Sequence, residues 1–116
     1  MKKALIVTVA AVCVGGGLSA RAADTCVASI FTGGFDRPLA DGKRHTASEL
    51  LIAHRKLAMG SRVRITSART GKTVVATVRD RGPFTRGLCA DLSPGVARAL
   101  GASGLVKISM ESDVKP

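Results

Sequence analysis

The clearest pattern is the alternation of apolar and polar residues over 62–66, where Val63 and Ile65 interleave with Arg62, Arg64 and Thr66. That period of two predicts a half-buried strand. Arg69-Thr70-Gly71-Lys72 is a turn, and residues 73–79 are rich in Val and Thr, with Val74, Ala76 and Val78 on one face. The two runs predict a β-hairpin. Asp80-Arg81-Gly82-Pro83 then breaks the strand, and residues 87–92 predict another. Ser93-Pro94 places a capping serine before a proline suited to the first helical turn. Val96, Ala97, Ala99 and Leu100 supply an apolar side, and Gly101 ends the helix. Residues 105–110 alternate again and predict a last strand, and residues 27–31 a first one ahead of Thr32-Gly33-Gly34. Thr46 and Glu49 stand at capping-box spacing, so residues 46–53 predict either a brief helical turn or a strand. Several short strands with one short helix indicate a single small, mainly β barrel.

The N-terminus has a different pattern. Lys2 and Lys3 precede an uncharged, mostly apolar run over residues 4–14, and Ala20-Arg21-Ala22 offers small residues around a cleavage point. Residues 1–22 are expected to be an export signal and residues 23–116 the folded domain, destined for the periplasm or secretion. The apolar run is shorter than the roughly 20 residues a bilayer span needs, so no stable membrane insertion is expected after cleavage. Cys13 raises lipid attachment as an alternative, although Val12 before it is not small.

Composition narrows the chemistry. Loss of Lys2, Lys3 and Arg21 with the signal lowers the formal charge from +10 to +7. An exported basic domain is drawn to anionic partners such as cell-wall polymers. No basic cluster is interleaved with aromatics, so nucleic acid is not an expected partner. The chain has three aromatic residues, Phe31, Phe35 and Phe84, so Val, Ile, Leu and Ala must build the core. Cys26 and Cys89 remain after cleavage, and in an oxidising compartment they suggest one disulfide, the alternative being two buried thiols. Two cysteines and two histidines lack ligand-like spacing, so neither a metal nor another cofactor is expected.

Two blocks go further. Ala53-His54-Arg55-Lys56-Leu57 leads into Gly60-Ser61-Arg62-Val63-Arg64-Ile65. Val78-Arg79-Asp80-Arg81-Gly82-Pro83-Phe84 is followed by Gly87, Asp91-Leu92-Ser93 and the helix Ala97-Arg98-Ala99-Leu100-Gly101. In that order and spacing they resemble the rare lipoprotein A (RlpA) family over residues 27–111. The resemblance implies a six-stranded double-psi β-barrel with one or two short helices, related to the first domain of expansins. It also implies a peptidoglycan lytic transglycosylase, a lyase that cuts glycan strands between N-acetylmuramic acid and N-acetylglucosamine and leaves 1,6-anhydro ends.

The resemblance assigns catalysis to Asp80, with His54 assisting. One carboxyl group can protonate the leaving oxygen and later take the proton of the attacking sugar hydroxyl. Arg79 and Arg81 flank Asp80 and oppose the raised pKa that a general acid needs, but strand alternation turns them to the other face. A purely structural Asp80, accepting backbone N–H groups in the turn, is the competing reading. Arg55, Lys56, Arg79, Arg81 and Arg86 are candidates to line a glycan groove, with Phe84 and Phe31 as apolar surfaces for sugar rings. His45 matches no motif and is expected to be solvated. Two departures stand out: Lys43 occupies the position of the family's glutamate, and Ile30-Phe31 that of a Trp-Tyr pair. They favour an alternative in which the chain binds cell-wall glycan without cutting it, as an expansin-like module; on either reading a monomer is expected. A secreted effector or inhibitor-like module is a third class.

Overall fold

The computed structural model describes residues 24–33 and 37–112. The expected export signal of residues 1–22, Cys13, Phe35 and the last four residues lie outside that range.

Six strands, β1 (Cys26–Ile30), β2 (Leu51–Ala53), β3 (Arg62–Ser67), β4 (Thr73–Asp80), β5 (Leu88–Leu92) and β6 (Val106–Ser112), close into a barrel in the order β1-β5-β2-β4-β3-β6. β1–β5 and β2–β4 pair in parallel, and the other neighbours are antiparallel. The one helix among the described residues, α1 (Pro94–Leu100), follows β5. The alternation in β3 is realised: Val63, Ile65 and Ser67 are buried while Arg62 and Arg64 face water. Val63 and Ile65 fill the interior with Ala76, Val78, Ala28, Ile52, Ala90, Leu92 and Ile108, and Val96 and Leu100 of α1 join the same core. The interior is aliphatic, as the scarcity of aromatics requires.

Cys26 and Cys89 form a disulfide that staples β1 to β5 across a sequence separation of 63. Ser93 caps α1 by accepting the Val96 N–H on Oγ at 3.2 Å, and its hydroxyl donates to the Glu49 carbonyl at 2.7 Å. Gly101 closes the helix at φ 71°. The capping box at Thr46 forms, with the Thr46 N–H donating to Glu49 Oε2 at 2.8 Å. It yields a turn rather than a helix. Leu51, Ile52 and Ala53 are all buried between β4 and β5, and those two ladders pull the chain straight.

Candidate functional site

A single rung of the barrel carries the polar chemistry. In the β1–β5 register Ser29 stands opposite Asp91; in β5–β2 Asp91 stands opposite Ala53; in β2–β4 Ala53 stands opposite Asp80. Neighbouring residues in register share a face of the sheet. An irregularity between Ile52 and Ala53 makes the last match: Ile52 pairs with Val78, Ala53 pairs with Asp80, and Arg79 is skipped. Such bulges re-aim side chains. Two carboxyl groups therefore flank one methyl group, their backbones two strand spacings apart, roughly 10 Å.

Above the rung lies a cleft of about 290 Å³, lined by Phe31, Arg37, His45, Ala53, Asp80, Arg81, Phe84 and Asp91 among others. Phe84 stands on its lip, 80% exposed, after the cis Gly82-Pro83 bond. An exposed phenyl face beside a polar cleft is a surface on which a sugar ring can rest.

The two aspartates are held differently. Asp80 Oδ1 accepts the N–H of Ala40 at 3.0 Å and of Arg81 at 2.9 Å. These bonds belong to the structural reading of Asp80, yet the side chain still reaches the cleft. Asp91 is half-buried. Burial pushes its carboxyl above the ordinary value, the Ser29 hydroxyl, donating to Oδ1 at 2.9 Å, pulls it back, and the neighbouring Asp80 carboxylate raises it again. Burial and a like charge both favour the protonated form. Asp91, Ala53 and Ser29 were not singled out from the sequence as site residues. The signal for Asp91 was its place in the Asp91-Leu92-Ser93 motif.

His54 is tied to Asp80 through the backbone, its N–H donating to the Asp80 carbonyl at 3.1 Å. Its ring is not in the cleft lining. Nδ1 instead accepts the N–H groups of Lys56 and Leu57, each at 3.0 Å. Burial, then the charges of Arg55, Arg81 and Lys56, hold its pKa below the usual histidine value, in keeping with a neutral ring that accepts at Nδ1.

The arginines are clamps. Arg55 donates to the carbonyls of Pro83 at 2.7 Å and Leu88 at 2.8 Å, bracing the turn beneath Phe84. Arg81 donates to the carbonyls of His54 and Leu57 at 3.0 and 2.6 Å while lining the cleft. Arg79 turns away to Asp41 and Glu49. Arg86 is exposed and Arg37 lines the cleft.

His45 corrects the expectation of a solvated residue. It is 4% exposed, meets Phe31 edge to face at 5.9 Å between ring centroids, and forms part of the cleft lining. The loop that carries it is tied to β4 by Arg79, which donates to Asp41, Glu49 and the carbonyl of the adjacent Arg44. Among the described residues no group of three or more His, Cys, Asp or Glu is arranged to hold a metal, and no helix is long and apolar enough to cross a membrane.

A family described as lytic transglycolase matches residues 23–111. The chain belongs to this RlpA-like family. It is 48% identical over 77 residues to a probable endolytic peptidoglycan transglycosylase RlpA of Nostoc, covering 65% of the chain and 21% of that protein. It is 43% identical over 88 residues to its counterpart in Synechocystis, covering 73% and 27%. The chain thus spans about a quarter of the length of these relatives. Among solved structures, the barrel superposes on an expansin of Clavibacter michiganensis with TM-score 0.62 at 23% identity, over 79% of this chain and 50% of that one. An aspartate-to-asparagine variant of that expansin, in complex with cellohexaose, matches equally well at 22% identity over 80% and 52%. These neighbours establish the double-psi β-barrel fold.

Proposed function

We propose that this RlpA-like domain is an exported lytic transglycosylase that binds peptidoglycan glycan strands in the Asp80–Asp91 cleft. It would break the bond between N-acetylmuramic acid and N-acetylglucosamine to leave 1,6-anhydro ends. The observation that carries the reading is the pair of carboxyl groups on either side of Ala53, one of them biased toward its protonated form. The names of the RlpA relatives support the substrate, and the cellohexaose complex of the expansin supports a glycan in a barrel of this shape.

In this reading Asp91 donates its proton to the glycosidic oxygen as the bond to the muramyl C1 breaks. The muramyl O6 attacks C1, and Asp80 takes the hydroxyl proton. The proton gained by Asp80 equals the one lost by Asp91, so proton exchange with solvent restores the pair. No water oxygen enters the product. This assigns the acid to Asp91 and the base to Asp80, where the family resemblance alone implies one carboxyl for both steps. Hydrolytic enzymes use two carboxylates in a related way but need space for an attacking water. General acid–base assistance of this kind is typically worth 10²–10⁴-fold. His54 and Arg81 act here as supports: the ring holds the 54–57 turn, and that turn's carbonyls hold Arg81 beside Asp80. Phe84 and Phe31 would contact the sugar.

The test is incubation with glycan stripped of stem peptides, followed by mass spectrometry. Wild type should release anhydro-ended fragments, and Asp91→Asn and Asp80→Asn should release about a hundredfold less. Sedimentation with cell-wall sacculi without any release would favour the glycan-binding alternative that Lys43 raises.

A further inference from the structure

Arg79 follows the core residue Val78 and precedes Asp80, yet its side chain is only 16% exposed and points away from the cleft. Its guanidinium gathers three acceptors from one loop. Nε donates to Asp41 Oδ2 at 2.7 Å, Nη1 to Glu49 Oε1, and Nη2 to the Arg44 carbonyl at 3.0 Å. The Arg79 carbonyl takes a fourth bond, from the Asp41 N–H at 3.2 Å. Asp41 also closes its own turn, with Oδ1 accepting the Lys43 N–H at 2.9 Å. The turn is tightened by Gly42 N–H to Leu39 O at 2.8 Å and Leu39 N–H to Lys43 O at 3.0 Å. The residue left in the middle of this knot is Ala40, whose N–H lies on Asp80 Oδ1.

We propose that Arg79 is the positioning residue of the site: by clasping Asp41 and Glu49 it holds the Ala40 N–H on Asp80 and so fixes where that carboxyl group stands in the cleft. The planar guanidinium suits this task, since one rigid fork meets three acceptors at once and an ammonium meets them poorly. The clasp works from behind. Arg79, Asp41 and Glu49 line a separate hollow with Lys43 and Met59, not the cleft that contains Asp91. The same anchoring accounts for a tight 39–43 turn in which Lys43, in the place of the family's glutamate, contributes backbone bonds through its N–H and its carbonyl.

The proposal rests on the functional reading for its kinetic consequence but not for its structural one, and two measurements on the full chain separate them. The first is hydrogen exchange of the Ala40 amide by NMR. Arg79→Gln and Asp41→Asn should each speed it at least about tenfold, with Arg79→Lys in between. The second is the split between kcat and KM on denuded glycan. Arg79→Gln should lower kcat by about tenfold to a hundredfold and leave KM within about twofold, since the group touches no substrate. If Arg79→Gln does not fold, Asp41→Asn keeps the Glu49 arm and reads the same amide. Unchanged Ala40 exchange in the folded variants would overturn the proposal, as would a rise in KM with kcat intact. If wild type cuts no glycan, the function fails while the exchange result still decides the clasp.

Discussion

Asp80 and Asp91, eleven positions apart in the chain, are both in register with Ala53, one from each side of β2. Ala53 is thus the floor between the two carboxyl groups. A larger side chain there would fill the space that the proposed mechanism reserves for the glycosidic oxygen. Ala53→Leu is expected to cut glycan release at least about tenfold while the far-ultraviolet circular dichroism stays that of the wild type. Full activity in a folded Ala53→Leu variant would place the chemistry elsewhere.

The Asp91 carboxyl has a definite pH signature. Its pKa is raised in the folded state by burial first, with Asp80 acting in the same direction. Between the unfolded value near 3.9 and the raised one, the folded chain binds more protons than the unfolded chain, so its contribution to stability falls as pH rises through that window. Above the window the buried charge costs stability. Asp91→Asn should therefore melt a few degrees higher than wild type at neutral pH, with the difference shrinking at acid pH, while glycan cleavage is lost. Thermal unfolding across pH checks this. An Asp91→Asn variant less stable at neutral pH would contradict it.

Asp41 and Glu49 have the opposite sign. Burial opposes the shift at Asp41, but hydrogen bonds from Arg79 and Lys43 hold its carboxyl below the usual range; the Thr46 N–H, then Arg79, does the same for Glu49. Their contribution is present above the ordinary carboxylate pKa and lost as pH falls through the depressed values. Acidification below the ordinary carboxylate range should loosen the 39–49 loop before the barrel melts, read as a lower protection factor for the Ala40 amide after correction for the slower intrinsic exchange in acid.

The Cys26–Cys89 bridge joins the two strands that present Ser29 and Asp91. Removing a crosslink that closes a loop of this length costs about 4 kcal/mol in the chain-entropy picture. Replacing both cysteines with serine should lower the melting temperature by well over 10 °C for a domain of this size. A shift of only a degree or two would mean that the barrel ladders alone hold β1 to β5.

Gly95 is needed for close approach rather than for backbone freedom. A Cβ there would stand 2.6 Å from the Ser48 carbonyl oxygen and 2.9 Å from that of Glu49, both backbone atoms. The Gly95 N–H meanwhile donates to the Ala47 carbonyl at 2.9 Å. Gly95→Ala should cost about 1–3 kcal/mol through overpacking, measured by urea unfolding, despite the higher helix propensity of alanine.

Much of the barrel was legible because its signals are local. The alternation of Val63 and Ile65, the Thr-Val run to Val78, the Asp80 to Pro83 break and the Ser93-Pro94 to Gly101 helix each lie within a few residues. β2 was ambiguous because all three of its residues are buried, which erases alternation. The cleft was only half legible. Asp80 sat in a recognisable block, whereas Ser29, Ala53 and Asp91 join it through three strand registers and one bulge that no short window contains. The arginines read as groove residues from their charge alone; the carbonyls that hold Arg55 and Arg81 are distant in sequence. His45 was misplaced for a similar reason, since its burial depends on a loop drawn in by Arg79 from more than thirty residues away.

Running the cleavage reaction in water enriched in oxygen-18 tests the two-carboxylate cleft most directly. An intramolecular attack by the muramyl hydroxyl takes no oxygen from solvent, so mass spectrometry should find new anhydro ends free of label, reduced about a hundredfold with Asp91→Asn. New ends carrying one labelled oxygen, or undiminished unlabelled ends from the Asp91→Asn protein, would contradict it.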